Sequence, residues 1–317
     1  MTSSTPPASK QGAVRHAWFI AFVVASGIAF HQALSALVQF SQVEDSASHV
    51  LLIPLIVLFL LYTERRRIFA VTRTQAVPGI AVIATGLFVY WVGSRAPLQT
   101  SGNFSLSLEI LSIVILWAGA FLFCYGFAAV RAAAFSLLFL LLMVPLPEMV
   151  LDRVIYWLQA GSTELTYLIF QMVGTPVVRN GFLLSVPGVT IEVAKECSSI
   201  RSSIALLITC LLAAHLYLRT TWRMALFVVL ALAVSVLKNG IRIATLTLLS
   251  VYVDQGFLTG KLHREGGFVF FLIALAILFP ILLWLQKSER ITKPAGGEGP
   301  SELNPGLARD LPDVQKL

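Results

Sequence analysis

The sequence predicts an all-α polytopic membrane protein with about eight transmembrane helices. Hydrophobic residues make up 57% of the 317-residue chain and charged residues only 12%, whereas a soluble domain carries roughly 25% charged residues. Apolar runs of about the length that crosses a bilayer recur along nearly the whole chain. The basic residues lie in short clusters between these runs, not on one face or arm, so we expect a lipid bilayer as the surroundings and no nucleic-acid partner.

Eight apolar runs are read as membrane spans. They lie near residues 17–40, 50–63, 76–93, 105–125, 127–145, 199–218, 222–251 and 267–286. The basic clusters between them all fall on one side if the N-terminus is cytoplasmic, as the positive-inside rule requires. We therefore expect a cytoplasmic tail over 1–16, a transmembrane domain over 17–286, and a disordered cytoplasmic tail over 287–317.

The longest segment expected outside the membrane lies between the fifth and sixth spans. Residues 148–174 combine helical spacing of apolar residues with scattered charges, which predicts an interfacial helix against the outer leaflet. Two β-type runs then flank Pro187-Gly188, and Asn180-Gly181 marks a second turn or bulge. We expect a small outer-face β-hairpin that leads the chain into the sixth helix.

Cys197 stands at the expected N-terminus of that sixth helix. The partial positive charge at a helix N-terminus favours a thiolate, which is the nucleophilic form of cysteine. The alternative is a small buried residue beside a serine that only caps the helix. The other cysteines, Cys124 and Cys210, give no metal-binding or disulfide spacing, so we expect no metal and no cofactor.

Arg242 lies inside the seventh span, about 15 Å of helix rise from its outer end. A charge at that depth is costly and usually marks a functional site, although pairing with Glu196 or snorkelling would also accommodate it. Lys238 is one helical turn away on the same face, and Asn239 follows it. This grouping predicts a polar cavity within the membrane domain.

A histidine completes the set of candidate residues. His263 comes just before the eighth span, on the same expected side as Cys197 and Arg242, and His49 is the second candidate for a base. A thiolate, a histidine that moves protons and a fixed cation together support acyl transfer through a thioester. Arginine cannot be the base because it stays protonated.

At these residues the sequence resembles the exosortase/archaeosortase family of membrane cysteine proteases and transpeptidases. The nucleophile motif is matched by ECSSIRS at 196–202, the N-x-x-R element by NGIRI at 239–243, and the histidine motif by HREGGF at 263–268. Upstream, SHVLLIP at 48–54 and MVPLP at 143–147 are similar to further family stretches. The order and spacing of the motifs agree over most of the chain.

The resemblance implies that Cys197 is the nucleophile, Arg242 the proton donor or transition-state stabiliser, and His263 the third member of the site. Supporting positions in the same motifs are Arg201, Asn239 and His49. It implies membrane-anchored substrates that end in a recognition motif, a span and a basic cluster, and an association with exopolysaccharide biosynthesis machinery. It also implies a bacterial inner membrane location with the active site facing the periplasm or exterior.

Two readings from other classes stay open. Lys238, Arg242 and His263 could bind an anionic group in a polytopic transporter, with Cys197 incidental. The chain could also be a component of a polysaccharide-assembly machine. Replacement of Cys197 separates both readings from a protease.

Overall fold

The apolar runs fold into helices, and a small sheet lies between two of them. The computed structural model describes residues 8–95, 103–193, 200–254, 256 and 261–292, with the backbone alone at 8–11, 261–266 and 290–292. The helices are α1 Ala8–Ala29, α2 His31–Val43, α3 Ile53–Thr63, α4 Arg65–Ile68, α5 Ala76–Arg95, α6 Phe104–Ala132, α7 Ala134–Phe139, α8 Glu148–Val173, α9 Ile200–Tyr217, α10 Thr221–Tyr252 and α11 Lys261–Thr292. Short 3₁₀ turns cover Asp45–Ala47, Val50–Leu52 and Leu140–Met143.

Seven segments within the described ranges are long and apolar enough to cross a membrane, which confirms an all-α polytopic membrane protein. They are Gly12–Ala29, Asp45–Thr63, Ala76–Arg95, Phe104–Ala132, Ile200–Tyr217, Thr221–Tyr252 and Gly267–Glu289. An eighth arises only if Ala134–Met143 and Glu148–Val173, which are bent by 94° at their junction, are taken as one span. The fifth span expected at 127–145 is therefore not a straight helix of its own.

The chain nevertheless crosses back after α6. The Asn103 side chain, at the start of α6, donates to the Leu146 carbonyl at 2.9 Å and accepts from the Glu148 backbone N–H at 3.0 Å. Residues 146–148 therefore lie at the end of the bundle where α6 begins. This return agrees with the alternation of sides that the charge pattern predicts.

The helical path breaks at two places, one inside the first expected span and one between the expected fourth and fifth spans. The first span, expected over 17–40, is interrupted at Phe30, where ψ of 26° separates α1 from α2. In α6 the helical path breaks at Gly126, whose φ of 82° and ψ of 176° suit glycine almost alone. The carbonyl freed at Tyr125 accepts from the Arg73 backbone N–H at 3.1 Å. A Cβ at Gly126 would stand 2.2 Å from the Arg73 carbonyl oxygen, so this close approach of two backbone segments requires glycine.

The basic clusters meet at the opposite end of the bundle from Asn103. His215 Nε2 lies 2.7 Å from Glu64 Oε1, and both side chains are largely buried. The Arg219 backbone N–H donates to the Glu289 carboxylate at 3.0 Å, which ties the end of α11 to the α9–α10 turn. Segments that the positive-inside rule places on one side of the membrane are thus in contact with each other.

A three-stranded antiparallel sheet follows α8. Its strands are β1 Val178–Asn180, β2 Leu183–Val186 and β3 Val189–Glu192, in that order. The expected hairpin at Pro187-Gly188 is confirmed as the β2–β3 turn, with Gly188 at φ of 82°. The second turn, at Asn180-Gly181, adds β1 as a third strand. Leu184 and Val186 of β2 are buried in a cluster with Phe170 of α8 and Ala244 of α10.

The expected interfacial helix is α8, and it packs closely along α10. Gly161 of α8 faces Val236, and Gly240 of α10 faces Leu165; a Cβ on these glycines would approach within 2.9 and 2.7 Å, respectively. Gln159, one of the polar residues that interrupt its apolar spacing, is buried with 6% exposure. The polar residues of α8 are therefore divided between the protein interior and the outer surface.

Candidate active site

The polar residues expected inside the membrane domain are grouped on one stretch of α10. Lys238 and Asn239 are buried with 3% and 1% exposure, and Arg242 is half-buried. Lys238 and Arg242 are four residues apart, which places them on the same face of the helix, and their positive charges lie close enough to interact. This part of α10 brings together the candidate cations of the site.

One side of this stretch contacts the first turn of α9. The Lys238 ammonium donates a hydrogen bond to the Ser202 hydroxyl. One turn earlier along α10, the Ser235 hydroxyl donates to Ser203 Oγ at 2.7 Å. Ser203 and Ser235 are both buried. Polar side chains between two membrane helices satisfy each other because no water is available in the bilayer core.

The other side of the same stretch contacts α8. Asn239 Nδ2 donates to Ser162 Oγ at 2.9 Å, and Thr166 Oγ1 donates to the Gly240 carbonyl at 3.2 Å. Asn239, Ser162 and Thr166 are buried. At Gly240 the two helices approach so closely that a Cβ would clash with Leu165. Asn239, expected as a supporting residue, therefore fixes α8 against α10.

Cys197 lies in residues 194–199, outside the described residues, but the chain on both sides of that segment is held by side-chain hydrogen bonds. On the N-terminal side, Gln159 Nε2 donates to the Val193 carbonyl at 2.8 Å, and the Val193 N–H donates to the Phe182 carbonyl at 3.0 Å. On the C-terminal side, Ser202 is bound by Lys238. The described residues on the two sides of this segment are thus bound to α8 and the sheet at Val193 and to α10 at Ser202.

The candidate histidines lie on different elements. His263 falls in the opening turns of α11, where the backbone alone is described; α11 packs against α9 and α10 through Ala274 and Leu278, which are fully buried. His49 lies between two 3₁₀ turns, and its imidazole hydrogen-bonds to the backbone of Leu142. The described contact of His49 is therefore directed at the 3₁₀ turn that follows α7.

Arg201, the remaining supporting residue, contacts the 3₁₀ turn that follows α2. Its guanidinium lies 3.4 Å from the Asp45 carboxylate, and both side chains are well exposed. The contact joins the first turn of α9 to the 3₁₀ turn Asp45–Ala47. Since an exposed ion pair contributes little to stability, this contact adds little to the packing of the two segments.

A cavity of about 570 Å³ opens near this ion pair, between α2, α6 and α8. Three carboxylates line it, from Glu44, Glu148 and Asp152, together with Asn103 and apolar side chains. Neither Lys238 nor Arg242, on which the anion site of a transporter was expected, lines this cavity.

A model of the transmembrane exosortase family matches residues 41–280, well over half of the 317-residue chain. The chain belongs to the transmembrane exosortase family. The matched range contains the segments 48–54, 196–202, 239–243 and 263–268, on which the resemblance in the sequence rests. No curated protein and no solved structure matches the chain.

The structure of this exosortase-family protein adds residues that sequence reasoning missed. Gln159, Ser162 and Ser202 bind Val193, Asn239 and Lys238, respectively. A polar residue at helical spacing on an otherwise apolar helix was the signal available for each. Without knowing which helices are neighbours, that signal does not identify the partner.

Proposed function

We propose that this exosortase-family protein is a cysteine-type peptidase or transpeptidase that acts on membrane-anchored proteins. Its substrates would be exported proteins whose C-terminal sorting signal has a recognition motif, a hydrophobic span and a basic cluster. One observation carries the proposal. The described residues on the two sides of the Cys197 segment are held by hydrogen bonds, Val193 to Gln159 of α8 and Ser202 to Lys238 of α10, the helix that bears Arg242.

The proposed reaction has two steps. His263 takes the proton of the Cys197 thiol, and the thiolate attacks the carbonyl carbon of the scissile peptide bond, so a C–S bond forms. Arg242 stabilises the tetrahedral oxyanion by its fixed positive charge. The C–N bond then breaks, the leaving amine takes the proton from His263, and a thioester acyl-enzyme remains.

The second step releases the acyl group. Water or another nucleophile gives a proton to His263 and attacks the thioester carbonyl carbon. The C–S bond breaks, and the departing Cys197 thiolate recovers a proton from His263. A water nucleophile gives hydrolysis, whereas an amine or hydroxyl acceptor gives transpeptidation or ester formation.

The membrane supplies part of the catalysis in this proposal. A substrate stopped by its own span would present its recognition motif at a fixed depth, and confinement to two dimensions lowers the entropic cost of orientation. We propose that the site faces the periplasm or exterior of a bacterial inner membrane, with both termini cytoplasmic. The contacts of Glu64 with His215 and of Glu289 with Arg219, which bring together the basic ends, support this arrangement.

The test is C-terminal processing of a co-expressed substrate that carries a motif, a span and a basic cluster. The parent protein is compared with Cys197→Ala and with Cys210→Ala, which removes another thiol, one that is buried in α9. We expect processing by the parent and by Cys210→Ala, and none by Cys197→Ala. Equal processing by all three would overturn the proposal and favour a transporter or polysaccharide-assembly role.

A further inference from the structure

Lys238 is a buried cation of α10 that has no role in the proposed reaction. It is buried with 3% exposure inside the apolar segment Thr221–Tyr252. A lysine at such a position is rare, because an ammonium loses its hydration in the bilayer, and it usually marks a functional site. A methionine would fill a similar volume without that cost.

The surroundings of Lys238 do not explain it as an ion pair. Within the described part of the chain, its hydrogen-bond partner is the Ser202 hydroxyl, and no carboxylate forms an ion pair with it. The neighbouring charge is that of Arg242, which is also positive. Like charges one turn apart on a helix repel, so electrostatics within α10 disfavours this arrangement.

The partner of Lys238 explains the position better. Ser202 belongs to the first turn of α9, and Ile200, where that helix begins, is three residues after Cys197. The hydrogen bond therefore links the start of the helix that follows the nucleophile to the helix face that carries Arg242. Hydrogen bonds to a charged group are stronger than neutral ones, which suits a link that must fix one position.

We propose that Lys238 is a positioning residue of the acyl-transfer site: through Ser202 it fixes the first turn of α9, which follows Cys197 in the sequence, against the face of α10 that carries Arg242. The inference rests on the proposed function. In this role Lys238 is the hydrogen-bond donor and Ser202 the acceptor, so loss of either side chain should have the same effect.

A positioning role and a purely structural role make different predictions for Lys238→Met. If Lys238 only filled space, methionine would preserve both stability and turnover. If Lys238 positions the nucleophile, removal of a buried ammonium leaves stability equal or higher, while the lost hydrogen bond lowers the rate of the chemical step. The separation of stability from activity is therefore the signature of the proposal.

The experiment measures kcat, KM and the unfolding midpoint of purified protein in lipid nanodiscs with a membrane-anchored substrate. We expect Lys238→Met to lower kcat about ten- to a hundredfold, the range of a lost hydrogen bond to a charged group. KM should stay within about threefold, because substrate binding does not use this link. Lys287→Met, the same substitution at an exposed lysine near the end of α11, is the control and should behave as the parent.

A double-mutant cycle tests whether Lys238 acts through Ser202. Ser202→Ala should lower kcat, and Lys238→Met combined with Ser202→Ala should be no slower than the slower single variant. Lys238→Gln, which keeps a donor for Ser202 without the charge, should recover part of the lost rate. Ser202→Ala provides the result if Lys238→Met does not fold.

Parental kcat in Lys238→Met, or in Ser202→Ala where the methionine variant does not fold, would overturn the inference. So would additive losses in the double variant, because the two residues would then act separately. These outcomes differ from failure of the proposed function, which would appear as processing by Cys197→Ala. Loss of activity in Cys197→Ala with full activity in Lys238→Met would remove the inference alone.

Discussion

Gln159→Met tests whether the hydrogen bond from Gln159 to Val193, just before the segment that carries Cys197, matters beyond the general packing of α8. Gln159 is buried with 6% exposure, and its amide donates to the Val193 carbonyl at 2.8 Å. Methionine keeps the length of the side chain, so the packing change is small. The Val193 carbonyl, however, loses its amide donor in a buried position, which costs about 1–3 kcal/mol of unfolding free energy.

The measurement is the free energy of unfolding in mixed micelles by reversible SDS titration, followed by the processing assay. Gln171→Met is the matched control, since it makes the same substitution on an exposed face of α8 and should change stability by less than about 0.5 kcal/mol. Processing by Gln159→Met should also fall, because Val193 precedes the cysteine segment. Equal stability and equal processing in the two variants would refute the claim that Gln159 anchors this segment.

Two further predictions concern the crossing of α6 and the choice of base. Gly126→Ala should destabilise the protein by about 3 kcal/mol or more, because its Cβ would stand 2.2 Å from the Arg73 carbonyl oxygen and its φ of 82° disfavours a side chain. An unfolding titration compares it with Gly27→Ala, whose Cβ meets nothing within 4 Å. The Gly27→Ala control should be neutral or stabilising. His263→Ala should stall processing by roughly a hundredfold or more, whereas His49→Ala should leave it largely intact. The reverse order of effects would make His49 the base.

Much of the fold could be predicted because bilayer physics leaves few alternatives. A run of about 20 apolar residues must become a helix in lipid, and seven of the eight expected spans correspond to apolar segments of the structure. The Pro187-Gly188 turn was equally readable, because few residues adopt a positive φ as easily as Gly188.

The expected fourth and fifth spans end and begin on either side of Gly126, but the backbone conformation of this break was not predictable from the same rules. A glycine within an apolar run is common in membrane helices, and its role here depends on Arg73, a residue distant in sequence whose backbone N–H donates to the Tyr125 carbonyl. The burial of Gln159 was missed for a related reason. Amphipathic spacing identifies a polar face, but it does not distinguish water from a polar partner on a neighbouring helix.

The candidate site was predictable where intramembrane charge is rare and remained undetermined where hydroxyl groups are common. Arg242 and Lys238 were conspicuous because ionisable residues are costly in a bilayer. Ser202 and Ser162 were not, because serine occurs often in membrane helices and gains meaning only from its neighbour. The partnership of Lys238 with Ser202 therefore required the packing of α9 on α10.

The central claim, a thioester formed on Cys197, is tested most directly by trapping the acyl-enzyme. Purified protein in nanodiscs is mixed with substrate, quenched in acid within the first turnover, and digested for mass spectrometry. We expect an adduct on the Cys197 peptide with the mass of the substrate's N-terminal part less water, labile to hydroxylamine and less abundant in Arg242→Gln. Complete processing of the substrate without an adduct, or an adduct on a different residue, would contradict it.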